Sequence, residues 1–519
     1  MSQTEEQAVP GQPAATAVEP VPPSLGAAAR RGVAWLATLR VSGRLLTAVQ
    51  LLVFARVAGQ ASTGIIGMAL ATLAAIETFS QLGIRGALIQ RTGDIREHLP
   101  TAFTVQAVRG LVIAAVVWLT AGAVAAWFRE PALVPVLQAF AVIPFLRGAA
   151  NIAAVELERD LRFGRVVMLE VGTPVVDLLV TLLCLWISPG VFALVWGKIA
   201  GAAWLLAVSY LFVPIVCRPG WSWRRFLELN EFGRWLLVSG IITLIVTRGT
   251  DFIAGRVLTT EDMGVYTLAT MLAVMPLLEL HGVVGRVLFP TYSRIQADRP
   301  RLQRAFLRSF LVCCTVIVGS ALLVAVAAPD LVRLTMSGSW AKLGVLVPLL
   351  VIWGACRAIG GATSSIFQAT GHPAQSSYAH LIMLVLLAAT VYPAAHRFGL
   401  VGICAALAAT GLVAQACRYV ILARILGVPA GSLYARTFVP FGVAGVAWGA
   451  ASLLGSATAG VPPLARLILL PAAAAAVYAA GLAVWERVGK VPVAETLLGV
   501  LPLRLRGLIS APRELWSSM

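Results

Sequence analysis

Residues 305–328 read AFLRSFLVCCTVIVGSALLVAVAA, and apart from Arg308 no side chain in the stretch is charged. An α-helix rises about 1.5 Å per residue, so about 20 such residues cross the roughly 30 Å hydrocarbon core of a bilayer. Stretches of this kind recur along the whole chain of 519 residues, of which 59% are hydrophobic and only 12% charged. The mean hydropathy is +0.87. A soluble chain carries about a quarter charged residues, so this is an integral membrane protein. A soluble enzyme, a disordered scaffold and a disulfide-built secreted module are excluded, because none could keep so much apolar surface from water.

Marking apolar stretches, and ending them at charged clusters, Pro and Gly, predicts an all-α polytopic protein with about 14 spans. They cover 33–56, 63–84, 101–127, 132–156, 166–187, 191–217, 235–255, 263–289, 305–328, 343–369, 376–395, 399–417, 437–456 and 465–486. The net charge of +17 is almost all Arg, scattered between apolar runs, Lys occurring only at 198, 342 and 490. That pattern is no basic face for nucleic acid. It is a topology signal instead. Loops after even-numbered spans carry Arg85, Arg91 and Arg96; Arg159, Arg162 and Arg165; Arg218, Arg224, Arg225 and Arg234; Arg294, Arg299, Arg301 and Arg304; and Arg418, Arg424 and Arg436. Loops after odd-numbered spans carry only Arg56, Arg129, Arg256, Arg333, Lys342 and Arg397. Even-span loops are therefore expected in the cytoplasm, together with both termini. Trp127, Trp186, Trp221, Trp223, Trp235, Trp340 and Trp485 fall near span ends, where amphipathic rings suit the headgroup layer.

The Pro-rich start, with Pro10, Pro13, Pro20, Pro22 and Pro23, lacks the apolar core of a signal peptide. It reads as a disordered cytoplasmic tail over 1–32. Residues 488–519 mix Leu498, Leu503 and Leu505 with Arg504, Arg506 and Arg513, a cytoplasmic tail of amphipathic character. The seven Cys show no CxxC and no His at metal-ligand spacing, and read as buried hydrophobes. Pro144, Pro174, Pro276 and Pro348 interrupt spans and are candidate hinges.

One internal repeat is visible. Arg56-Val57, Gly64 and Ala69 recur 200 residues later as Arg256-Val257, Gly264 and Ala269, each set at a span end, a short polar outer loop and the start of the next span. Six spans separate the copies, an even number, so both insert with the same orientation. Parallel repeats place a substrate path at the interface of the two halves. The expected organisation is an N-lobe over 33–217, a cytoplasmic linker over 218–234, a C-lobe over 235–424, and two additional helices over 425–487.

Four stretches, all in predicted cytoplasmic loops and in order along the chain, are distinctive: Ala87-Leu88-Ile89-Gln90-Arg91, Glu158-Arg159-Asp160-Leu161-Arg162-Phe163, Leu288-Phe289-Pro290-Thr291-Tyr292-Ser293-Arg294-Ile295-Gln296 and Gln368-Ala369-Thr370-Gly371-His372-Pro373. With them the chain resembles the polysaccharide transporter family, the oligosaccharide-lipid flippases of the multidrug, oligosaccharidyl-lipid, polysaccharide (MOP) superfamily. The resemblance implies a two-lobed transporter of the bacterial inner membrane that alternates access to a central cationic cavity. Its substrate would be an isoprenoid pyrophosphate-linked oligosaccharide carried to the outer leaflet for lipopolysaccharide or exopolysaccharide synthesis. Membrane lipids and other polysaccharide assembly proteins are the implied partners, with no cofactor and with H⁺ or Na⁺ coupling left open.

Such cargo needs a wet cationic cavity for the headgroup. Charges inside spans cost about 2.5–3.5 kcal/mol each on insertion scales, so those present should face a cavity or a partner. Arg40 and Arg44, four apart on span 1, share a helical face. They present two guanidinium forks to a pyrophosphate or snorkel to headgroups. Arg147, Lys198, Arg248 and Arg357 are further candidates, to be read as cavity lining, as members of internal ion pairs or as marks of a misplaced span boundary. Arg248 and Asp251, three apart, suggest a self-neutralised pair. Glu77, Glu170, Asp177, Asp251 and Glu279 are the candidate ion-coupling carboxylates, since desolvation raises a buried carboxyl's pKa; permanent neutralisation by a nearby cation is the alternative.

No paired carboxylates, metal-ligand spacing or phosphate-cradling Gly loop occurs outside the spans, which disfavours an enzyme. An exporter of organic cations would need an acidic cavity, whereas the spans hold more Arg than acid. A non-transporting scaffold is the third reading.

Overall fold

The computed structural model describes residues 23–79, 88, 95–159, 163–213, 216–230, 245, 248–336, 338–371 and 373–489. Residues 1–22 and 490–519, most of the 80–94 loop and the greater part of predicted span 7 lie outside these, as do parts of the 87–91, 158–163 and 368–373 motifs. Every described element is helical, and there is no strand among the described residues. Ten helices among them are long and apolar enough to cross a membrane.

Most predicted spans fall on helices that extend further than the apolar core that revealed them. Residues 305–328 lie inside Arg299–Thr335, 263–289 inside Thr260–Ile295, and 101–127 inside Leu99–Phe128. In the first two helices the additions are polar turns with local caps. Thr259 accepts a hydrogen bond from the Asp262 N–H at 3.1 Å, and Asp298 accepts one from Arg301 at 3.0 Å with Pro300 in the first turn. Leu343–Ala369 begins and ends where its apolar run does.

Two loops expected as short connections are single-residue kinks. Pro23–Phe79 turns at Gly59 (φ 82°) and Pro373–Leu426 at Gly399 (φ 58°), both in the left-handed region that only glycine adopts without penalty. The first helix begins at Pro23, inside the stretch expected as a tail. The Ala- and Arg-rich sequence after Pro23 favours helix, and Pro fits a first turn. The linker contains a helix, Trp223–Asn230, whose Trp223 and Phe226 rings cluster with Trp221.

Span 4 is broken into Leu133–Phe140, Val142–Ala149 and Ala154–Arg159, with Ala150 extended. Pro144 supplies no N–H to the Phe140 carbonyl, which weakens the helix where the first break falls. In lipid the freed backbone groups need partners. Gln106 donates to the carbonyls of Gly148 and Ala150, and Ser209 Oγ accepts from the Asn151 N–H at 2.9 Å.

One continuous core of buried apolar side chains runs through most of the helices. In the C-terminal half it contains a ladder of rings, Tyr292, Phe306, Phe310, Tyr419, Tyr434 and Phe438, that ties four helices together. Pro463–Gly489 is fastened to Arg299–Thr335 by Arg466 on Asp330 (3.5 Å) and by Tyr478 on the Thr315 carbonyl (3.0 Å). Trp127, Trp186, Trp221 and Trp223 are exposed, as a headgroup belt requires. Trp340 is not: the short Gly338–Trp340 turn folds it into the core, 1% exposed. All seven Cys are free thiols, five of them buried.

Candidate functional site

The repeated segments meet each other. A Cβ on Gly64 would run into the Thr260 carbonyl, and a Cβ on Gly264 into the Gln60 carbonyl, so the two helices cross backbone to backbone. The residues are the same pair with the 200-residue offset exchanged. Around this crossing, Arg56 donates to the Thr335 carbonyl at 2.7 Å and Gln60 to that of Ser339 at 2.7 Å. Lys342 pairs with Asp262 at 2.6 Å, and Thr260 donates to Glu130 at 2.5 Å. The Arg256 guanidinium lies over the Trp127 ring. All of these residues belong to the turns after predicted odd-numbered spans, so the halves are joined at one end of the molecule.

Most of the intramembrane charges suggested by the sequence are paired. Arg44 meets Glu279 at 3.0 Å, Arg147 meets Glu77 at 3.3 Å, Lys198 meets Asp177 at 2.5 Å, and Arg248 meets Asp251 at 3.1 Å. Two of these pairs are elaborated. Asp177 also accepts from Gln50, whose side-chain oxygen in turn accepts from Lys198 at 3.1 Å. Asp251 accepts from Tyr266 at 3.3 Å. Gln50 and Tyr266 went unnoticed in the sequence because an uncharged polar residue inside a span costs little and carries no distinctive spacing. Glu170 is half-buried at the end of the helix Phe163–Glu170, whereas Asp177 lies on the next one, Gly172–Ile187, so the two do not share one continuous helical face. Arg40 lies on the first helix, but its side chain is outside the described residues.

Arg357 differs from the rest. Its guanidinium stands over the Trp353 ring, 5.8 Å from the centroid, and forms no ion pair among the described residues. Opposite it, on Pro373–Leu426, is Arg418, which was expected in a cytoplasmic loop. Span 12 does not end at residue 417. The helix continues to Leu426 through Tyr419-Val420-Ile421-Leu422, an apolar run that was the available signal, and it carries Arg418 into the protein at 4% exposure.

The Arg44–Glu279 pair sits on the lip of an apolar groove of 420 Å³ between the first helix, Thr260–Ile295 and Arg299–Thr335, lined by Leu45, Met271, Met275, Pro276 and Val324 among others. The groove thus combines an apolar trough with a charged pair whose Arg44 side chain is 60% exposed.

Residues 53–344 match a family model described as "Polysaccharide biosynthesis protein". A relative is the lipopolysaccharide biosynthesis protein WzxC of Escherichia coli (strain K12), 25% identical over 346 residues that cover 65% of this chain and 69% of the relative. Among solved structures, the fold is similar to that of the lipid II flippase MurJ in an inward closed conformation, with a TM-score of 0.69, 10% identity, and coverage of 87% of this chain and 99% of MurJ. It is also similar to an inward-facing multidrug resistance MATE family transporter of the MOP superfamily, with a TM-score of 0.58, 16% identity, and coverage of 75% and 94%. At these identities the structural likeness establishes the fold, whereas the family model spans more than half of the sequence. The chain therefore belongs to the polysaccharide biosynthesis protein family and shares the helical fold of these two solved membrane transporters.

Proposed function

We propose that the protein is a flippase that carries isoprenoid (undecaprenyl) pyrophosphate-linked oligosaccharide units from the cytoplasmic to the outer leaflet of a bacterial inner membrane, by alternating access between two six-helix lobes in a fourteen-span chain. The observation that carries this reading is the apolar groove with Arg44 and Glu279 at its lip, between helices of opposite lobes. Its two kinds of lining suit a molecule that is a long hydrocarbon at one end and an anion at the other. The family membership, the lipopolysaccharide relative and the fold shared with a lipid II flippase support it. No bond of the cargo is made or broken in this scheme.

The joined end of the lobes carries the Arg-poor turns, which the charge bias assigns to the outer side; this form is then closed outward and loads from the cytoplasm. Coupling to H⁺ or Na⁺ is placed at Glu279. Neutralising that carboxylate releases Arg44, which can then hold a pyrophosphate oxygen through a charge-assisted hydrogen bond. Of the other candidate acids, Glu77, Asp177 and Asp251 are paired with Arg147, Lys198 and Arg248.

The test is the leaflet distribution of lipid-linked glycan in cells with and without the protein, read with a membrane-impermeant probe of outer-leaflet sugar. Finished units confined to the cytoplasmic leaflet when the protein is absent support the proposal. An unchanged distribution in cells whose pathway is active refutes it, and favours export of another solute or a scaffold role in envelope assembly.

A further inference from the structure

A second cavity, of 460 Å³, lies wholly within the C-terminal half, between the helices Thr260–Ile295, Leu343–Ala369 and Pro373–Leu426. Arg357, His380 and Arg418 line it together with Ser364, Ser365 and Gln368, and among the described residues no carboxylate does. Glycines at 282, 285, 360, 361 and 411 keep the walls back.

Arg418 is the telling residue. A guanidinium has five N–H donors and cannot be neutralised at any ordinary pH. Here Nη1 donates to the Gly360 carbonyl at 2.6 Å and lies 3.4 Å from Thr363 Oγ1, while Nε is buried with no partner among the described residues. No acid lies within ion-pair distance among those residues, although elsewhere in this protein Arg44, Arg147, Arg248, Arg333 and Arg466 each have one. Burying a cation without a counter-charge is strongly unfavourable. The expense is understandable where a mobile anion supplies the missing charge. Gly360 is part of the design, since a Cβ there would stand 2.7 Å from Arg418 Nη1 and displace the guanidinium.

We infer that this cavity is an oxyanion site that takes a pyrophosphate or phosphate group between the guanidinium groups of Arg418 and Arg357. Planar guanidinium forks match phosphate oxygens, and the serine hydroxyls and Gln368 amide add neutral donors. The cavity lies towards the helix ends that the charge bias assigns to the cytoplasm. In the flippase reading, on which the identification of a lipid source rests, this is the leaflet where a lipid-linked pyrophosphate is made. A free inorganic anion has the same chemistry, so the probes must separate the two sources.

Binding is measured on the full chain in nanodiscs by titration with inorganic pyrophosphate and, separately, with geranylgeranyl pyrophosphate. The wild-type protein is expected to bind at least one of them saturably, and to release it as salt is raised. Arg418→Gln should weaken binding on the order of tenfold to a hundredfold, the worth of charge-assisted hydrogen bonds. Since Arg418 is buried and its replacement could impair folding, Gln368→Glu is the second variant. It is isosteric, lies on an exposed part of the wall, and should weaken binding by adding a negative charge. Arg397→Gln, an exposed arginine remote from the cavity, should bind as wild type. Tight binding of the prenyl pyrophosphate alone identifies the lipid source, and equal binding of the two probes identifies a general oxyanion site; both support the inference. Absence of saturable binding by folded wild-type protein, or binding that neither Arg418→Gln nor Gln368→Glu weakens, overturns it. These outcomes do not depend on the leaflet assay: a protein that flips glycan but binds neither probe refutes this site alone, and one that binds but flips nothing refutes the flippase reading alone.

Discussion

Removing the charge of Asp177 should destabilise the protein strongly, and removing the charge of Lys198 as well should restore about half of the loss. The Asp177 and Lys198 side chains are 8% and 19% exposed, and they meet at 2.5 Å deep between Gly172–Ile187 and Val191–Leu211. Gly197 permits this, because a Cβ there would collide with Thr181 Oγ1 and stand 2.6 Å from the Asp177 carbonyl. Asp177→Asn keeps the shape but leaves an ammonium buried without its counter-charge, which costs roughly 3–5 kcal/mol. In Asp177→Asn/Lys198→Met no charge is left uncompensated. Gln50 Nε2 keeps Thr181 Oγ1 at 2.7 Å, and only its side-chain oxygen loses a donor. One unsatisfied buried acceptor costs about 1–3 kcal/mol, so the double variant should recover about 2 kcal/mol of the loss. The buried thiols of Cys217, Cys313, Cys314, Cys356 and Cys404 provide the assay: a thiol-reactive dye reports their exposure as purified protein is heated. Asp177→Asn melting like wild type, or a double variant no more stable than the single, would refute the argument. A double variant that is stable but fails to deliver outer-leaflet glycan would show that the Asp177–Lys198 pair serves transport as well as stability.

Three further outcomes follow from the geometry. Gly64→Leu or Gly264→Leu forces the crossing helices apart, and each should cost about 1–3 kcal/mol by overpacking and abolish outer-leaflet delivery; normal delivery by both would show that the crossing does not close the outer side. Asp330→Asn should loosen Pro463–Gly489 and lower thermal stability, because Arg466 loses its partner in the interior, whereas Asp330→Leu/Arg466→Leu should be near neutral; proteolysis of the last helix distinguishes them. Arg44→Ala should change stability by no more than about 1 kcal/mol, the pair with Glu279 being substantially exposed, yet reduce outer-leaflet glycan; full delivery would remove Arg44 from the site.

The fold class and the approximate positions of most helices were legible in the sequence because membrane insertion is read from local composition: some 20 apolar residues suffice whatever their neighbours are. Residues 305–328 and 343–369 needed no tertiary information. The close approach of the segments around Gly64 and Gly264 was not legible from either segment alone. Which charge partners which was not legible. Arg44 and Glu279, or Lys198 and Asp177, are remote in sequence or lie on different helices, and only packing brings them within 4 Å. The boundary of span 12 failed for a related reason. A charge ends most spans, but it can stay inside when the fold supplies it with a cavity, and the cavity around Arg418 needs three separate helices to form its walls. The local sequence thus determined that these helices enter the membrane and roughly where, since that depends on transfer free energies summed along one segment. Tertiary structure alone decided which buried charges are cancelled and which, like Arg418, have no acid within reach among the described residues, because that depends on distances between segments.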